Sequence, residues 1–134
     1  MASHLDKMGL SEFVQVDSCG TGNWHAGELA DPRMRATAQK YGIELTHKAR
    51  QIRQEDFDQF DHILVMDHQN LKDVQALNAS MSHKIKRLCD WHPNHQNQIV
   101  PDPYFGDQSG FEDVYALLNE ITEHIAKDLS KQFA

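Results

Sequence analysis

The run Ile63-Leu64-Val65-Met66 is apolar at four successive positions and stops at Asp67. A strand with one wet face alternates apolar with polar residues, so four apolar residues in a row demand cover on both faces. Residues 62–66 therefore predict a strand inside a parallel sheet that has helices on either side. The covering helices are also legible. Residues 69–77 follow the strand with a helical pattern. Farther on, Phe111, Val114, Leu118, Ile121, Ile125 and Leu129 recur at spacings of three and four, which sets one apolar face on a long final helix.

The rest of the chain fits the same alternation. Residues 3–8 read as the end of a helix stopped by Gly9, the residue type a helix C-terminus prefers. Residues 13–16 predict a short strand that runs into the polar turn 17–22. Asp31 and Pro32 open a helix, with Asp as N-cap and Pro at the first helical position, and Gly42 closes it. Glu55 and Asp56 mark a short helical turn carrying Phe57 and Phe60. Residues 84–88 form a weaker, charged strand at a sheet edge. Strand and helix in turn give an α/β domain with a parallel sheet flanked by helices. Ligand sites of such sheets lie beyond the carboxyl ends of the strands, here at Asp17-Ser18, Asp67 and Cys89.

Composition narrows the function classes. The chain has 134 residues, 40% apolar and 25% charged, the balance of one globular domain over 1–134. Its net charge of −7 disfavours nucleic acid and anionic membrane as partners. No apolar run approaches the ~20 residues of a membrane span. With only two cysteines, the expected compartment is the reducing cytoplasm.

Three segments carry chemistry. Asp102 lies between Pro101 and Pro103 with Tyr104, Phe105 and Gly106 behind it. Two prolines stiffen the backbone around a carboxylate set beside aromatic rings. That arrangement can serve a general acid, while on spacing alone the plainer reading is a turn whose aromatics cap the core. The glycine-rich turn 17–25 lacks the Gly-Lys-Ser/Thr ending of a phosphate loop, and its Trp24 is either a substrate wall or a loop anchor. Cys89, His92 and His95 share the spacing C-x2-H-x2-H, but three ligands broken by Pro93 make a poor zinc site, so no metal is expected.

Taken in order, several runs resemble the low molecular weight protein-tyrosine phosphatases. They are Val16-Asp17-Ser18 with Gly20-Thr21 and Trp24-His25, Asp31-Pro32-Arg33, Gly42-Ile43, and Thr46-His47-Lys48-Ala49-Arg50-Gln51-Ile52. Then follow Asp56-Phe57 with Phe60-Asp61, Met66-Asp67 with Asn70-Leu71, Asp102-Pro103-Tyr104-Phe105-Gly106, and Gly110-Phe111-Glu112 with Val114-Tyr115. The resemblance implies a four-stranded parallel sheet and hydrolysis of phosphotyrosine on protein substrates through a cysteinyl phosphate, without a cofactor. It makes Asp102 the general acid, Trp24, Tyr104 and Phe105 the aromatic walls around a phenyl ring, and Ser18, His47 and Asp67 braces of the phosphate loop.

The family pattern also includes Cys-x5-Arg near the N-terminus, and these 134 residues do not contain it. Six residues after Cys19 stands His25, and six after Cys89 stands His95. Residues 3–8 align with the end of the family's first helix. The expectation is thus a fold missing its first βα unit, roughly 20–25 residues by the length of such a unit, and a chain inactive as it stands. Without an inner strand the sheet is expected to re-pair or to exchange strands with a second copy. A non-catalytic binding or decoy module on the same fold is the alternative function, and an arsenate-reducing relative, needing more thiols, the weaker one.

Overall fold

The computed structural model describes residues 1–22, 27–102 and 108–132. The chain divides into two compact units. One comprises Met1–Ser18, Leu29–His47 and Asp102–Ala134, and the other comprises Cys19–Glu28 and Lys48–Pro101.

The first unit is helical. Helix α1 (Ala2–Met8) ends at Gly9, whose φ of 71° is open to glycine at little cost, and whose amide donates to the Asp6 carbonyl. Helix α2 (Pro32–Lys40) starts on Asp31, which accepts from the Arg33 amide at 2.8 Å. The long α5 (Gln108–Ser130) buries Phe111, Val114, Ile121, Ile125 and Leu129, five of the six residues expected on its apolar face. Both α1 and α2 pack against α5. Leu5, Leu10 and Ala126 form a small core there, flanked by Met1, Met8 and Val14.

The second unit holds the sheet. Strands β1 (Ile63–Val65) and β2 (Ile85–Arg87) pair in parallel, with Ile63 opposite Ile85 and Val65 opposite Arg87. Parallel neighbours need a crossover, and α4 (His68–Leu77) together with the 3₁₀ segment Ala79–Lys84 supplies it. Helix α3 (Gln54–Gln59) contributes Phe57, fully buried against Val65, Val74 and Ile85. Burying a phenyl ring of this kind contributes about 2–3 kcal/mol. No helix among the described residues is long and apolar enough to cross a membrane.

One expectation is corrected. Residues 13–16 do not form a strand. The amides of Phe13 and Val14 both turn back to the Leu10 carbonyl, at 2.9 and 3.1 Å. The turn after α1 thus takes the donors that a ladder would use. The described sheet has two strands, supplemented by an isolated parallel bridge between Gly20 and Gln51.

Candidate functional site

In the first unit, Ser18 and His47 come together with Asp17. The His47 ring nitrogen Nε2 lies 3.0 Å from the Ser18 carbonyl oxygen and 3.4 Å from Asp17 Oδ1. A carbonyl only accepts, so Nε2 carries the hydrogen and donates it. The Ser18 amide in turn donates to Asp17 Oδ1 at 2.8 Å. Asp17 therefore closes a small knot around the backbone of Ser18, with His47 as its second point of attachment. The contacts of Ser18 run through its backbone.

In the second unit, Asp67 is the N-cap of α4. Its Oδ1 accepts from the Asn70 amide at 2.8 Å, satisfying one of the donors a helix start leaves open. Just before it, the Met66 carbonyl accepts from the amide of buried Val100 at 2.8 Å. That bond fixes the chain two residues ahead of Asp102. Asp102 itself is exposed and opens the last stretch of the first unit. Trp24, Tyr104 and Phe105 lie outside the described residues.

The segment leading to Trp24 is tied down by its neighbours. Gly20 donates to the Arg50 carbonyl and accepts from Ile52, while Gly27 donates to Ala49 and Glu28 accepts from it, at 2.7 to 2.9 Å. The run 49–52 thus holds the backbone at Gly20, Gly27 and Glu28. Its Arg50 side chain reaches the other way and grips Asp56 in α3. That pair holds the Asp56 carboxyl below its usual range, with the Arg50 hydrogen bonds as the main cause. Sequence reasoning did not single out this pair. Its signal was an acidic residue in the first turn of α3, six positions after an arginine.

Cys89 does not sit in the setting a nucleophile needs. Cys89 is fully buried, and burial pushes its thiol up, away from the thiolate. Cys19 is exposed. His92 is buried, and its Nδ1 accepts from the Asn94 amide at 3.1 Å; the His95 Nδ1 meets Gln98 Oε1 at 2.9 Å. Those nitrogens serve the turns of 92–98.

A polar cluster joins α2 to the start of α5. Glu112 accepts from Lys40 Nζ at 2.6 Å and from the Tyr41 hydroxyl at 3.0 Å. Tyr41 and Tyr115 stack with ring centroids 4.3 Å apart and planes 10° from parallel. The Arg33 guanidinium lies 4.5 Å from the Phe111 ring centre. Lys40, and next Tyr41, hold the Glu112 carboxyl below its usual range, while Glu112 raises both of them.

The comparisons with known proteins agree with this organisation. The profile of the family "Low molecular weight phosphotyrosine protein phosphatase" matches residues 1–134. The low molecular weight phosphotyrosine protein phosphatase of Schizosaccharomyces pombe is 35% identical over 130 residues, covering 96% of this chain and 83% of the yeast protein. That of Sus scrofa is 41% identical over 109 residues, covering 79% and 68%. Among solved structures, a protein tyrosine phosphatase from Entamoeba histolytica superposes with a TM-score of 0.90 at 28% identity, covering 99% of this chain and 86% of that one. The chain belongs to the low molecular weight phosphotyrosine protein phosphatase family.

Proposed function

We propose that this chain carries the general acid of phosphotyrosine monoester hydrolysis, the reaction of its family, and that these 134 residues alone do not turn substrate over. Family membership supports the reaction class. The observation that carries the second statement is the sequence position six residues beyond each cysteine, which holds histidine in both cases and arginine in neither.

The reaction needs a thiolate to attack phosphorus while the bond to the phenolic oxygen breaks. Asp102 donates its proton to that oxygen, because a phenol of pKa near 10 leaves poorly as an anion. Water then attacks the cysteinyl phosphate, Asp102 takes its proton, and the sulfur–phosphorus bond breaks to release phosphate. Trp24, Tyr104 and Phe105 flank the phenyl ring, and Ser18, His47 and Asp67 brace the phosphate loop. The thiolate and the arginine that grips the phosphate belong to Cys-x5-Arg. The substrate class is phosphotyrosine in proteins. The compartment is the reducing cytoplasm, where Cys89 stays a thiol.

Strand exchange between two copies is part of the same reading. Exposed Val16 and Met66, at 45% and 38%, give apolar surface that a second chain would cover. Size-exclusion chromatography with light scattering tests it: a dimer supports exchange, and a clean monomer removes it.

The test of the main reading is p-nitrophenyl phosphate hydrolysis by the 134-residue chain, beside its Cys19→Ser and Cys89→Ser variants. No turnover is expected. Turnover that survives both substitutions defeats the cysteinyl-phosphate mechanism, and turnover lost with one of them moves the nucleophile to that residue. Tight phosphotyrosyl-peptide binding without hydrolysis would turn the assignment to a binding module.

A further inference from the structure

We infer that His68 and Arg87 form a pH-sensitive latch on the loop 90–98. It is closed while the His68 ring is neutral and released when the ring takes up a proton.

The latch sits at the carboxyl ends of both described strands. His68 opens α4, just after β1 ends at Val65, and Arg87 is the last residue of β2. Parallel sheets place their ligand sites at that rim. The Arg87 side chain is largely enclosed, with 15% of it exposed, and its guanidinium makes three contacts. Nε donates to Asp90 Oδ2 at 2.9 Å, Nη1 to His68 Nδ1 at 2.7 Å and Nη2 to Asn97 Oδ1 at 3.3 Å. One side chain therefore ties the start of α4 to both ends of the loop.

The loop leans on those ties because residues 92–98 form turns rather than a helix or a strand. Asn97 stands at φ 65°, in the left-handed region that side chains other than glycine adopt at a cost and that asparagine tolerates better than most. Its amide donates to Asp90 Oδ1 at 2.8 Å, and the Gln96 side chain donates to the Asp90 carbonyl at 2.7 Å. Asp90, which holds both, is itself oriented by Arg87.

A guanidinium donates and never accepts, so His68 Nδ1 is the bare, accepting nitrogen and the ring hydrogen sits on Nε2. Proton uptake puts a hydrogen on Nδ1. The bond from Arg87 is then impossible, and two cations face each other at contact distance and repel. Arg87 has to withdraw from the ring, and Asp90 and Asn97, which it holds, move with it. Histidine is the side chain whose charge changes between roughly pH 5 and 8. The charged groups around the ring are Arg87 from β2, with Asp90 of the 3₁₀ segment Leu88–Trp91 beyond it, and Asp67 and Lys72 of α4 itself. Two further histidines, His92 and His95, lie in the loop and need a separate control.

The test is hydrogen–deuterium exchange of the 134-residue chain at about pH 8 and about pH 5, both above the range in which ordinary carboxylates titrate. Each rate is divided by that of an unstructured chain at the same pH. Protection of the Asn97 amide is expected to fall at least about 5-fold at the lower pH in the parent and to change little in His68→Asn. Asparagine carries its Oδ1 on Cγ as histidine carries Nδ1, so it keeps an acceptor at that reach and does not titrate. His68→Lys, a cation without an acceptor, should show the low protection at both pH values. His68 is exposed, so these substitutions leave the core untouched. Long-range nitrogen NMR of the parent at the higher pH should find the hydrogen of His68 on Nε2.

Protection of Asn97 that does not change with pH in the parent overturns the inference. So does a neutral His68 that carries its hydrogen on Nδ1. An equal fall in the parent and in His68→Asn overturns it as well, because the sensitivity then belongs to His92 or His95.

Discussion

Arg50 meets Asp56 through two parallel hydrogen bonds, Nη1 to Oδ2 and Nη2 to Oδ1, each 2.9 Å. The same carboxylate accepts the Arg53 amide at 2.8 Å at the start of α3. With 5% of its side chain exposed, Asp56 is the fixed point of this corner. The backbone of the run 49–52 around Arg50 bonds Gly20, Gly27 and Glu28. One ion pair therefore links the start of α3 to the backbone run that holds Gly20, Gly27 and Glu28.

Replacing Asp56 with Asn leaves a half-buried guanidinium without its charge partner and is expected to cost about 1–3 kcal/mol in urea unfolding. The acid dependence follows from the same pair. The folded-state pKa lies below the unfolded value of 3.8, so the stabilisation is complete above that value and disappears as pH falls through the folded one. Unfolding free energies from pH 6 downward should therefore drop less in Asp56→Asn than in the parent.

Asp67 caps α4, and the cap predicts a graded response. Asp67→Ala should lose about 1 kcal/mol, while Asp67→Asn and Asp67→Ser, which keep an oxygen for the Asn70 amide, should lose at most a few tenths. Thermal melts of the three variants decide it. Equal losses in all three would assign the carboxylate a role that depends on its charge.

The two thiols should separate cleanly by alkylation. Cys19 is exposed and should react with iodoacetamide in the native chain. Cys89, fully buried and with its thiol raised by burial, should react only after unfolding. Peptide mass mapping reads both positions. Rapid native labelling of Cys89 would show that its burial is not maintained in solution.

The sequence was most legible where one strong local signal coincided with packing. Gly9, Asp31-Pro32 and the spacing of Phe111 to Leu129 each name an element that the fold contains, because caps and apolar periodicity act within a few residues. The segment 13–16 had the composition of a strand, but a strand exists only through a partner, and the Leu10 carbonyl captured two of its amides first. Asp17, Ser18 and His47 were legible as candidates, and the structure brings them into one knot. Asp67 was legible as a residue at a strand end, whereas its part as a helix cap depends on where α4 starts. The Arg50–Asp56 and Tyr41–Glu112 contacts join groups whose pairing depends on how separate segments pack, which no periodicity records.

The central proposal is that Asp102 serves as the general acid of the family reaction and that these 134 residues, which contain no Cys-x5-Arg, do not turn substrate over by themselves. Its most direct measurement is phenyl phosphate hydrolysis by the chain fused to a strand–loop–helix segment bearing that motif, with and without Asp102→Asn. The account predicts no turnover from the unfused chain, turnover from the fusion, and a loss of about 100- to 10,000-fold on Asp102→Asn. Turnover by the unfused chain, or a fusion that keeps its full activity after Asp102→Asn, would contradict it.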